Sequence, residues 1–94
     1  MGRNDKKENL LERAADLFDL PGEVLAGMPL ITITGGVRIH IENHRGILEY
    51  GETEIDVNCG KVVVRLSGEK MELRAMSENE LLITGELARV EFIR

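Results

Sequence analysis

From residue 30 onward, apolar and polar side chains alternate with a period of two, interrupted by glycines and short polar clusters. That period puts one set of side chains on each face of a strand, so these segments are expected to bury one face and wet the other. Residues 30–34 make the first expected strand, closed by Gly35-Gly36. Val37, Ile39 and Ile41 then point one way, while Arg38, His40 and Glu42 point the other. Asn43-His44-Arg45-Gly46 reads as a turn, with Gly46 able to take a positive φ, and residues 47–50 follow. Ile55 and Val57 alternate with Glu54, Asp56 and Asn58, and Val62, Val64 and Leu66 with Lys61, Val63 and Arg65. Ser67-Gly68-Glu69 is expected to turn into Met71, Leu73 and Ala75, which alternate with Lys70, Glu72 and Arg74. Ser77-Glu78-Asn79 turns into residues 81–84, and Gly85-Glu86 precedes residues 87–93.

About eight short strands at this spacing predict a mainly β protein, a small antiparallel β-sandwich. The connections are too short for helical crossovers, which excludes a parallel βαβ sheet. A short β-solenoid, with stacked rungs and regular glycines, is the alternative.

Ahead of the strands the period is 3.6. Leu10, Ala14 and Leu17, with Leu11, Ala15 and Phe18 one step round, predict an amphipathic helix over residues 4–20. Asn4 or Asp5 caps it, and Leu20-Pro21-Gly22 ends it, because a residue before proline is driven out of the α region. Pro21 is suited to open another helical turn over residues 23–26, which Gly27-Met28-Pro29 stops. The chain therefore divides into a helix and Pro/Gly linker over residues 1–29 and a β domain over 30–94. The helix packs over an open end of the β unit or docks onto a partner.

Ninety-four residues suffice for one domain. Phe18, Tyr50 and Phe92 are the whole aromatic set, so the core must be aliphatic and little surface is left for stacking bases or sugars. A net charge of −5, with the cations interleaved among Glu and Asp, argues against a nucleic-acid partner. The acidic residues of the first helix argue against direct membrane insertion, and the longest apolar runs fall far short of a bilayer span. No signal peptide is visible, so a cytoplasmic protein with a reduced thiol is expected.

The polar residues offer little chemistry. His40 and His44 are four apart across a strand-to-turn boundary, a spacing that does not bring them together for a metal as it would on a helix. In the turn, the His44 imidazole and the Asn43 amide are placed to hydrogen-bond backbone and fix its geometry, or to make a recognition contact. Cys59 falls in step with Ile55 and Val57, which makes it a buried, inert thiol. Glu42, Glu49, Glu52, Glu54 and Asp56 sit on exposed strand faces beside Arg38, Arg45 and Arg65, where cross-strand ion pairs account for them. The glycines match neither a phosphate loop nor a dinucleotide fingerprint, since no strand–glycine loop–helix unit exists. No enzyme, cofactor or metal is expected.

Leu20-Pro21-Gly22-Glu23-Val24-Leu25, Gly27-Met28-Pro29 and, above all, Ile41-Glu42-Asn43-His44-Arg45-Gly46-Ile47-Leu48-Glu49-Tyr50 resemble the YabP/YqfC family of sporulation proteins, its YqfC branch most closely. The tail, Leu82-Ile83-Thr84-Gly85-Glu86 followed by Val90-Glu91-Phe92, is similar too, while Glu23 stands where that family more often has Asp. The resemblance implies a non-enzymatic protein of the mother cell of an endospore-forming bacterium, an adaptor or assembly component. Its implied partner is the membrane-anchored sporulation protein YqfD, which would hold it at the periphery of the membrane around the forespore. The family supplies no catalytic or ligand-binding residues. Asn43, His44, Arg45, Gly46 and Tyr50 are the candidate interaction or structural residues. Homo-oligomerisation through the C-terminal strand or the helix is a second expectation, and a small-ligand or glycan-binding domain in spore envelope assembly is the alternative function.

Overall fold

The computed structural model describes residues 27–94; the helix expected over residues 4–20 and the turn over 23–26 lie outside them. Six strands follow in chain order: β1 (Leu30–Thr34), β2 (Arg38–Glu42), β3 (Ile47–Tyr50), β4 (Glu54–Asn58), β5 (Val63–Met76) and β6 (Glu80–Ile93). They form one sheet in the order β1-β2-β6-β5-β4-β3. Every pairing is antiparallel, which excludes the parallel rungs of a solenoid.

Six strands replace the expected eight for one reason. Ser67-Gly68-Glu69 and Gly85-Glu86, expected to end strands, are bends inside them, so β5 and β6 each run for 14 residues. The ladder between them slips at Ser67/Gly68, at Glu69/Glu72 and at Leu73/Ala75. Bulges of this kind bend and twist a strand without ending it. At the bend Lys70 has a φ of 54° and Gly85 one of 150°. The two backbones also approach too closely for side chains. A Cβ on Gly68 would overlap the carbonyl oxygen of Glu86, and one on Gly85 would lie 2.9 Å from the Met71 Cα.

Each short hairpin braces the bend from one side. Gly35 and Gly36 both take positive φ, as a tight primed hairpin turn requires, and the Val37 N–H closes that turn on the Thr34 carbonyl at 3.1 Å. The carbonyls of Gly36 and Val37 then accept from the Leu87 and Gly85 N–H groups at 2.9 and 3.1 Å. On the other strand, the Glu52 and Thr53 carbonyls accept from Met71 and Gly68 at 2.7 and 3.0 Å. Backbone groups freed by the bend thus find partners in the turns.

The bend separates two halves of the sheet that share one core. Ile39, Ile41, Leu81 and Ile83 from β2 and β6 cluster with Ile55, Val57, Val64 and Leu66 from β4 and β5, together with Met71 and Cys59. All ten are buried, and the cluster is aliphatic as the composition requires. Each full burial of a Leu, Ile or Val side chain contributes roughly 1.5–3 kcal/mol.

Gly68→Ala and Gly85→Ala are expected to cost about 3 kcal/mol each, because the added methyl meets rigid backbone. Gly36→Ala, where a Cβ finds open space but φ is +70°, is expected to cost only about 1 kcal/mol. Urea denaturation of the three variants checks that ranking.

Candidate interaction site at the strand crossing

β2 and β3 are consecutive in the chain but lie second and last in the sheet, with β6, β5 and β4 between them. In a flat sheet those four spacings would amount to about 19 Å. The five Cα steps from Glu42 to Ile47 reach about 18 Å only when fully extended. The segment is not extended: Asn43 has a φ of 66° and Gly46 one of 118°. β2 and β3 can be joined this way only because the sheet bends.

Asn43-His44-Arg45-Gly46 is therefore a crossing between the two halves, and it is bonded to both. On the side of β2, the Asn43 N–H donates to the Asn79 carbonyl at 2.7 Å, and the Asn43 Nδ2 donates to the Met28 carbonyl at 2.9 Å. On the side of β4, the Arg45 N–H donates to the Asn58 carbonyl at 2.7 Å, and the Gly46 carbonyl accepts from the Asn58 N–H at 2.8 Å. His44 ties the two sets together. Its Nδ1 accepts from the Gly46 N–H at 2.9 Å, and its Nε2 lies 2.9 Å from the Ser77 carbonyl. These partners dictate the tautomer: Nδ1 must be the acceptor, so Nε2 carries the hydrogen that Ser77 receives. With 6% of its surface exposed, this ring is a strut inside the protein.

Arg45 points outward. Its guanidinium runs beside Gly60, where a Cβ would lie 3.4 Å from the Arg45 Nε. With Lys61 and Arg94 it lines a cavity of about 790 Å³ whose walls include Met28, Asn58 and Val62. Three cations on one mouth went unforeseen, because they are 49 residues apart along the chain at the extremes. Tyr50 is separate from the crossing. At the far end of β3 its ring is half exposed, and its hydroxyl accepts from the Leu73 N–H at 3.0 Å, beyond the bend of β5.

Several other titratable groups are paired with near neighbours. His40 Nε2 lies 2.8 Å from the Glu80 carboxylate. Asp56, expected on an exposed face, is only 5% exposed. It stands directly opposite Arg65, whose Nε and Nη2 reach its two carboxylate oxygens at 3.0 Å each, and Glu54 lies 3.5 Å from the same Nε. The hydrogen bonds that Arg65 donates to Asp56 push its guanidinium further above its already high range, with the nearby carboxylate charges adding to the effect. The signal for this pair was present. A hairpin centred between Gly60 and Lys61 places Asp56 and Arg65 equidistant from its tip. Cys59 is buried, and loss of solvation pushes its thiol up, away from the thiolate that a nucleophile needs. Among the described residues, no three His, Cys, Asp or Glu side chains gather as metal ligands.

His44→Ala is expected to destabilise the fold by about 2 kcal/mol, since it empties a buried site and breaks two part-buried hydrogen bonds at once. Hydrogen exchange at the Gly46 amide should accelerate in the same variant by more than at the β1–β2 turn. The raised thiol also has a pH consequence. A group protonated more readily folded than unfolded loses its contribution as pH rises past the ordinary thiol value of about 8.5. Thermal melts should therefore fall as pH rises above about 8.5, less steeply for Cys59→Ala, and Cys59 should resist alkylation until the protein unfolds.

No helix among the described residues is long and apolar enough to cross a membrane. The profile of the YabP family matches residues 27–94, which spans the whole sheet and its crossing. Over 91 residues the chain is 30% identical to "Uncharacterized protein YqfC" of Bacillus subtilis (strain 168), covering 97% of this chain and 95% of that protein. No solved structure matches. The chain belongs to the YabP family, alongside the YqfC protein of Bacillus subtilis.

Proposed function

We propose that this protein is a non-enzymatic assembly module of sporulation, which works by holding other proteins. One observation carries the reading. Among the described residues the buried polar side chains serve the fold, while large apolar side chains stand in solvent. His44 has both ring nitrogens on backbone partners, Asp56 is clasped by Arg65, and Cys59 is held as a thiol. A catalytic site needs a nucleophile, base or acid free to meet a substrate. Met28, Leu30, Ile33, Val37, Leu48, Tyr50, Met76 and Phe92, by contrast, are all about half exposed. Exposed apolar side chains mark interaction sites where they gather, as Met28, Leu30, Ile33 and Val37 do on β1 and its flanks. The two halves of the sheet act in this reading as the layers of a small sandwich, closed by the crossing and presenting their edges outward.

The partner in this proposal is the membrane-anchored sporulation protein YqfD. It would keep the protein in the mother cell, peripheral to the membrane around the forespore. A small-ligand or glycan role gains no support from the 790 Å³ cavity, whose walls hold neither Tyr50 nor Phe92 for stacking on a sugar ring. Affinity capture with the full chain from detergent-solubilised sporulating cells tests the proposal. The expected result is recovery of YqfD at levels well above a mock capture. Absence of YqfD and of any other sporulation protein from the captured material would overturn it.

A further inference from the structure

β1 stands at one end of the sheet, and among the described residues no strand pairs with its outer side. Natural edge strands are usually blunted by charge, bulges or brevity, because unpaired N–H and C=O groups recruit other strands. The other open edges here are blunted. β3 has four residues, carries Glu49 and slips register between Ile47 and Glu49. Beyond the bend, β5 carries Lys70, Glu72 and Arg74, and its Leu73 N–H is already held by Tyr50. The last part of β6 carries Arg89 and Glu91. β1 has none of these devices: Leu30-Ile31-Thr32-Ile33-Thr34 is uncharged, and its five-residue ladder to β2 runs without a slip. Of the eight large apolar side chains exposed among the described residues, Met28, Leu30, Ile33 and Val37 lie on β1 or just outside its ends.

The same strand is complementary to itself. A two-fold axis through Thr32 in an antiparallel pair sets Thr32 against Thr32, Ile31 against Ile33 and Leu30 against Thr34. All five positions are then filled, with apolar Ile side chains together on one face. Homotypic pairing of a charged strand places like charges opposite one another, which is destabilising. β1 escapes that penalty at every position. Pro29, which has no N–H to donate, limits the pairing to the strand itself. We infer that β1 is a pairing edge for a second copy of this chain, joining two sheets into one continuous sheet across an isologous two-fold interface. The inference deepens the assembly-module reading and rests on it.

The test uses charge at the axis of the full-length chain. Thr32 is exposed and lies opposite His40 on β2, so a longer polar side chain there has room. The wild-type chain is expected to sediment as a dimer at micromolar concentration. Thr32→Lys and Thr32→Glu are each expected to sediment as monomers that still unfold cooperatively, and their equimolar mixture is expected to recover the dimer. Thr32→Cys offers a second readout that does not depend on those variants folding. Mild oxidation should link two copies through Cys at position 32, while Cys59 stays buried. A wild-type monomer at all concentrations, or charged variants that remain dimers, would overturn the inference. Capturing YqfD with Thr32→Lys separates the two proposals. Loss of the dimer with capture intact leaves the partner reading standing, and a dimer that captures nothing leaves only the pairing edge.

Discussion

A four-residue crossing between the second strand and the last strand of the sheet is the constraint on which the rest depends. It is too short to span a flat sheet of this order and is not even extended. The sheet must bend, and the bend must fall where β5 and β6 can yield. They yield at Gly68 and Gly85, where backbones approach within the space a methyl group would occupy. Once bent, the sheet brings its two halves onto one aliphatic core. His44 then holds the crossing from inside, with one nitrogen facing each set of bonds. Asn43 and Gly46 supply the positive φ values, a role suited to asparagine and glycine.

The bend also governs where polarity is placed. A bent sheet with a small core has few sites for buried polar groups, and each must be satisfied to be tolerated. Asp56 is satisfied by a two-point clasp from Arg65 across the β4–β5 ladder. Ser67 is the exception: its hydroxyl oxygen lies buried at the start of the bend with no partner among the described residues. Among the described residues, β1 and its flanks hold half of the large apolar side chains left exposed. That distribution is the physical basis for reading the protein as a component of an assembly.

Much of the fold was legible because a period of two leaves so little freedom. Ile39, Ile41, Ile55, Val57, Val64, Leu66 and Met71 all lie inside, on the faces their alternation assigned. The bends were misread as turns because Ser-Gly-Glu and Gly-Glu have turn composition. Only the pairing of β5 with β6 across both sides of them shows that the strands continue. Asn43-His44-Arg45-Gly46 was recognisable as a local unit, but its role as a bridge depends on strand order, which alternation does not encode. Tyr50 was grouped with it by proximity in the chain, and the structure separates the two by the length of β3. The burial of Asp56 depended on cross-strand register, a pairwise property absent from any single-strand pattern.

The position of β6 has a consequence for how the molecule comes into being. β2 is paired with β1 on one side and with β6 on the other, so its place in the sheet is set by a segment nearly forty residues downstream. A ribosome delivers the strands in chain order, and the one that unites the halves emerges after all the others. Until then no other described strand pairs with the free side of β2, the strand that carries Ile39 and Ile41. Among the described strands, the two halves therefore cannot be joined into one sheet before β6 is available.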